Sequence, residues 1–254
     1  MSVYRFPRPL LLRIAWALAT GEQRSLGADA AGGLRGAAPP PRALDTHCLP
    51  HAGPYVVVGN HYQREGLWAG WGAMVVSAAV WEAAGRRREL HWLMTAELLD
   101  VRLGPLPLPR RGVRAVLARM ARVYRFGQVS ARETGLVGGA TGLRVAARYL
   151  AEGEPVGVLP EGTASIALQE ARPGVGAFLA WLTRHGAPLV PVGIYEQDDT
   201  LTARFGPPFE LSRPAGGKEA RDAALRDAVM GRIARLLPPA LRGPYALAAE
   251  AVDP

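Results

Sequence analysis

The sequence holds one cysteine, Cys48, and one lysine, Lys218. A lone cysteine excludes an internal disulfide framework and any cysteine-rich zinc or iron–sulfur site. The scarcity of lysine means that all but one of the 30 basic residues are arginine. Aromatic residues make up only 7%. There is no helix-turn-helix, zinc-finger or aromatic-basic RNA pattern, so basicity alone does not support nucleic acid as a partner. Long hydrophobic runs are also missing: no stretch reaches the ~18 uninterrupted apolar residues of a membrane-spanning helix. The five histidines show no metal-ligand spacing, and no metal or organic cofactor is implied.

What is present bounds the rest. The chain has 254 residues, 49% of them hydrophobic and 20% charged, which excludes a disordered chain and leaves ample material for a core. The formal net charge is +8, which leaves nucleic acid, a phosphorylated substrate or an anionic lipid surface as partners. A GC-rich genome also favours arginine over lysine, so where the arginines sit matters more than how many there are.

The N-terminal segment 1–20 contains the run Pro9–Thr20, interrupted by Arg13. Leu, Ile and Trp on one side, with Arg5, Arg8 and Arg13 near headgroups, predict an interfacial helix. The alternatives are a helix packed on the domain's own core, or a signal peptide with a weak cleavage pattern. Residues 21–52 are rich in Gly, Ala, Pro and Arg and read as an irregular connector. Residues 53–245 form the main domain, and 246–254 a tail.

Within that domain the apolar runs Tyr55–Gly59, Val156–Leu159 and Leu189–Ile194 read as buried strands, with His91–Thr95, 128–131 and Leu201–Phe205 as further candidates. Helices are predicted for Trp68–Ala84, 113–125, 143–150, 178–186 and 225–236. The 113–125 helix carries a basic face of Arg114, Arg119, Arg122 and Arg125. Alternating strands and helices predict a single α/β domain with a mostly parallel sheet flanked by helices.

Two segments that follow strands carry chemical promise. Asn60-His61 follows the first strand. If the chain turns helical there, Asn60 caps the helix and Glu65 stands at i+4 from His61, where a carboxylate can orient an imidazole acting as general base. Pro160-Glu161-Gly162-Thr163 follows Val156–Leu159. It places a carboxylate and backbone N–H groups at the carboxyl end of a strand, where open α/β sheets bind ligands.

In this order, together with Leu189-Val-Pro-Val192, Arg172-Pro-Gly174 and Arg242-Gly-Pro-Tyr245, the segments resemble the glycerolphosphate and lysophospholipid acyltransferase family, over roughly residues 53–245. The resemblance implies transfer of a fatty acyl group from acyl-CoA or acyl-carrier protein to a hydroxyl of a lysophospholipid or related lipid. His61 would be the general base, with Pro160, Glu161, Gly162 and Thr163 shaping the acceptor site. It also implies a phosphate-binding arginine. Arg132 fits the family's order better than Arg110, which has the family-like spacing from Gly104. The acyl thioester is a co-substrate rather than a cofactor. Partners would be the lipid acceptor, the thioester donor and an anionic membrane surface, with peripheral attachment at the cytoplasmic face.

Two departures stand out. The family's Asp, five residues after the His, is replaced by Gly66, leaving Glu65 as the nearest acid. Ala164 occupies the place of an Arg after the Thr. A catalytically impaired homologue that binds lipid is the alternative that these departures raise.

Overall fold

The computed structural model describes residues 4–95, 102–103, 106–107, 109–129, 140–184, 186–212 and 214–247. The strands are β1 (Arg42–Leu44), β2 (Val56–Gly59), β3 (His91–Thr95), β4 (Arg102–Leu103), β5 (Leu106–Pro107), β6 (Gly127–Val129), β7 (Val156–Val158), β8 (Leu189–Gln197) and β9 (Thr200–Phe205). The helices are α1 (Arg8–Thr20), α2 (Leu26–Leu34), α3 (Gly70–Ala83), α4 (Arg110–Val123), α5 (Ala140–Ala151), α6 (Val175–Thr183) and α7 (Lys218–Arg235).

Seven strands form one sheet in the order β1-β9-β8-β2-β7-β3-β6, and β4 and β5 pair as a separate antiparallel hairpin. β8, β2, β7, β3 and β6 are mutually parallel. β9 returns antiparallel to β8, and β1 pairs parallel to β9. The carboxyl ends of the five parallel strands therefore open on one rim.

Both faces of the sheet are covered, which is why its central strands read as unbroken apolar runs. The two-residue period of a strand sends Val56 and Val58 into a core with α5, α6 and α7, through Tyr149, Phe178 and Ile233. Val57 points the other way, into a core with α2 and α3 that contains Trp71, Val75 and Val80. The α6–α7 pair is also tied by charge. The Asp222 carboxylate on α7 accepts the N–H groups of Gly174 (2.8 Å) and Ala177 (2.8 Å) at the start of α6. It satisfies helix donors that the α6 sequence leaves without a cap of its own.

The segment 21–52 differs from the expected irregular connector. It contains α2 and β1. Ser25 caps α2 by accepting the Ala28 N–H at 2.9 Å, and the Glu89 carboxylate takes the Gly27 N–H at 3.0 Å. Two of the glycines here, Gly27 and Gly33, are close-contact residues rather than turn residues. A Cβ on Gly27 would lie 2.3 Å from Cβ of Trp81 on α3.

α1 packs on the domain at its C-terminal end. Ala17 is fully buried against Val123 and Tyr124. An Arg119 guanidinium nitrogen donates to the carbonyls of Leu18 and Ala19, both at 2.9 Å, closing the helix C-terminus. The rest of the helix stays open, with Leu12 at 72% exposure and Trp16 at 65%. α4 bears the expected amphipathic pattern. Val113, Leu117 and Ala121 are buried, while Arg110, Arg111, Arg114, Arg119 and Arg122 are exposed. No helix among the described residues is long and apolar enough to cross a membrane.

Candidate active site

The site is built where β2, β7 and β8 reach the rim. Asn60 leaves β2 and is buried. Its side-chain amide donates to the Ile194 carbonyl (2.8 Å), and its amide oxygen accepts the Ile194 N–H (2.7 Å). Asn60 thus mimics one more rung of the β2–β8 ladder instead of capping a helix, and it fixes the point from which His61 departs.

The segment after Asn60 is not helical, which corrects the expected i, i+4 pairing of His61 with Glu65. Tyr62 bridges in parallel with Ser165. The Gln63 N–H donates to the Ser165 carbonyl (2.9 Å) and the Ser165 N–H to the His61 carbonyl (3.0 Å). Backbone bonds exchanged between Arg64 and Leu67 then close a tight turn with Glu65 and Gly66 at its tip. Gly66 has φ +77°, a left-handed conformation that L side chains rarely adopt. The position where the resembled family carries Asp is therefore a turn that favours glycine, and Glu65 points its exposed side chain from the tip. The backbone pairs with the neighbouring loop, so the helical period never begins.

Glu161 is held at both of its carboxylate oxygens. It is 2% exposed. One carboxylate oxygen accepts the backbone N–H of His61, and the other accepts that of Gln169 at 2.8 Å. A single side chain thus joins the loop after β2 to both ends of the loop after β7. Gly162 has φ +63°, and a Cβ there would meet the Arg172 guanidinium at 2.5 Å. Arg172 lies over this turn and donates to the carbonyls of Glu161 (3.3 Å) and Gly162 (3.4 Å). Pro160 accepts the Arg172 N–H at 3.1 Å. The Thr163 hydroxyl turns back on the Glu161 carbonyl at 3.4 Å.

The electrostatics follow from burial. Desolvation lowers the His61 pKa below its ordinary 6.5, so the imidazole is neutral at pH 7. His61 Nδ1 is buried and has no hydrogen-bond partner among the described residues. Desolvation raises Glu161 from 4.5 to about 7, against the pull of its two backbone donors. A carboxyl whose folded pKa is raised binds its proton more tightly in the folded state, so its contribution falls as pH rises from about 4.5 through about 7. That shift corresponds to about 3 kcal/mol. Urea unfolding across this range is expected to show the stability gap between the wild type and Glu161→Gln shrinking by about that amount. A gap independent of pH would contradict the assignment.

Of the residues expected at the site, the structure unites His61 with Pro160, Glu161, Gly162 and Thr163. Arg110 opens α4, at the end of that helix away from the start of β6. Arg132 lies outside the described residues. Sequence reasoning missed the grip of Arg172 on the turn. It also missed Glu196 at the end of β8, which receives Arg64 and Tyr62. The signal for Arg172 was its place in Arg172-Pro-Gly174. For Glu196 nothing local marked it, because its partners are 132 and 134 residues away.

No family model matches the chain, and no curated protein sequence matches it. Among solved structures, the fold is similar to that of the 1-acyl-sn-glycerophosphate (LPA) acyltransferase PlsC from Thermotoga maritima. The TM-score is 0.48 and the identity 15%, over 87% of this chain and 80% of that one.

Proposed function

We propose that this protein is an O-acyltransferase. It moves a fatty acyl group from an acyl thioester, acyl-CoA or acyl-carrier protein, to a hydroxyl of a lysophospholipid or related lipid. The observation that carries this reading is the joining of His61 to the Pro160–Thr163 turn at the rim through Glu161. In the reaction, neutral His61 takes the proton of the acceptor hydroxyl as its oxygen attacks the thioester carbonyl. The tetrahedral oxyanion is held by donors of the rim loops and collapses with cleavage of the C–S bond. The thiolate leaves and takes up the proton from His61. Atoms balance without a covalent enzyme intermediate. Arg132, by its place in the family-like order of segments, is the preferred ligand for a headgroup phosphate, with Arg110 the alternative. The test is acceptor-dependent thiol release from acyl-CoA with lysophosphatidic acid. Release that does not depend on any lyso-lipid acceptor would count against transfer.

The second reading is a lipid-binding homologue with impaired catalysis. It is favoured by Gly66 in a glycine-preferring turn, with Glu65 exposed at its tip. Liposome binding without thiol release over a panel of lyso-lipid acceptors is its expected signature.

Membrane attachment falls to α1 and α4, on the cytoplasmic face. Leu11, Leu12 and Trp16 are exposed beside exposed Arg5, Arg8 and Arg13, the composition of an interfacial helix. Deleting α1 would also uncover the buried contact of Ala17, so the surface variant Leu11→Ser/Leu12→Ser/Trp16→Ser is the better probe. Its flotation with anionic liposomes is expected to weaken at least about tenfold, since each side chain contributes ~1–2 kcal/mol of apolar burial. Unchanged flotation would remove α1 from the membrane contact.

A further inference from the structure

We propose that Glu196 is a positioning residue for His61, acting through Arg64 and Tyr62. The proposal rests on the acyl-transfer reading above. The imidazole of His61 has no carboxylate on its buried nitrogen among the described residues. Its orientation is therefore inherited from the backbone of its own loop, and whatever stiffens residues 62–67 sets where the base points.

Glu196 does this from a rigid platform. It pairs with Leu201 across the β8–β9 hairpin, and Gln197 pairs with Thr200 at the closing turn. Asp198 and Asp199 adopt left-handed φ values of +50° and +56° there, as two-residue hairpin turns require. The Glu196 side chain is 8% exposed. Its two oxygens receive Arg64 as a fork, Nε on one and a terminal nitrogen on the other at 2.7 Å. A bidentate guanidinium–carboxylate pair fixes a plane as well as a distance. The remaining terminal nitrogen of Arg64 donates to the Glu65 carbonyl at 2.7 Å, so the same guanidinium locks the 64–67 turn. The Tyr62 hydroxyl donates to Glu196 at 3.3 Å. Glu161 holds the loop at His61, and Glu196 holds it from the other side at Tyr62 and Arg64. Between them they fix the segment that a carboxylate on the imidazole would otherwise orient.

The test uses the whole 254-residue chain and the variants Glu196→Ala, Glu196→Gln, Arg64→Ala, Arg64→Lys and Arg64→Ala/Glu196→Ala. Glu196→Ala is expected to lower kcat about tenfold or more with KM within about twofold, because a misaimed base slows chemistry without weakening binding. Glu196→Gln keeps one acceptor, and Arg64→Lys keeps the charge without the fork, so both are expected to fall between. The double variant is expected to lose less than the sum of the two single alanine variants, since both break the shared Arg64–Glu196 fork. A second readout does not need turnover: the 13C-histidine NMR signal of His61, assigned by its loss in His61→Ala. Glu196→Ala is expected to move its titration up toward the ordinary value as the loop opens to water, and Arg64→Lys to move it less. An unchanged His61 signal with kcat intact, a loss confined to KM, or additive effects in the double variant would overturn the proposal. A wild type without transfer activity would overturn the acyl-transfer reading, while the NMR signal would still decide whether Glu196 positions His61.

Discussion

His61→Ala is expected to lower acceptor-dependent thiol release by about 10³-fold, within the range that one positioned general base contributes. The substitution is clean. The structural role of this residue is carried by its backbone, through the N–H given to Glu161 and the carbonyl that accepts from Ser165. Alanine keeps both. The imidazole Nδ1 has no partner among the described residues, so its removal does not orphan a protein group at that atom. The variant should therefore fold as the wild type does and bind acyl-CoA with similar affinity, with the loss confined to kcat. His61→Gln should lose as much, because an amide can hydrogen-bond the acceptor hydroxyl but cannot take its proton. Burial keeps the imidazole neutral at pH 7, so it is ready as a base without a prior proton loss.

Glu161→Ala is expected to be the most damaging change in the Pro160–Thr163 turn, in stability and in rate together. Its buried side chain satisfies two backbone N–H groups, of His61 and Gln169. Truncation leaves both donors unpaired at about 1–3 kcal/mol each, before any cavity term. Urea unfolding at pH 7 should show a loss of about 2–6 kcal/mol, and kcat should fall by about 10²-fold, because a misplacement of about 1 Å is enough for that. Glu161→Gln keeps one oxygen for one donor but turns an NH2 toward the other. It should lose roughly half the stability that alanine loses, and it separates charge from shape. A Glu161→Ala protein as stable as the wild type would show that these bonds do not hold the two loops together.

The parts of the fold that were readable in the sequence are those where one residue type repeats for one physical reason. Val56–Val58 and Val156–Val158 are buried on both faces, so their valines mark strands without ambiguity. The arginine spacing of α4 exposes one side of that helix. α2 was hidden because Gly27 serves contact with Trp81 and Gly33 contact with Met74 and Phe6, a packing demand that sequence alone does not distinguish from a turn. The segment after Asn60 was misread for a related reason. Its residues suit a helix locally, but the rungs supplied by Ser165 and Ile194 come from the loop after β7 and from β8, far away in the chain. The site residues His61 and Glu161 were legible as strand-end residues. The bond between them spans 100 residues and is a property of the strand order β8-β2-β7, which places their loops side by side.

Transfer of an acyl group to a lipid hydroxyl with His61 as base leaves two products that can be followed together. The most direct measurement gives acyl-CoA and lysophosphatidic acid to wild type and to His61→Ala, and follows the mass of the lipid product alongside thiol release. The wild type is expected to form a lipid heavier by one acyl group in step with the thiol, and the variant to form it about 10³-fold more slowly. Equal rates from the two proteins, or thiol released with no acylated lipid, would contradict transfer with His61 as base.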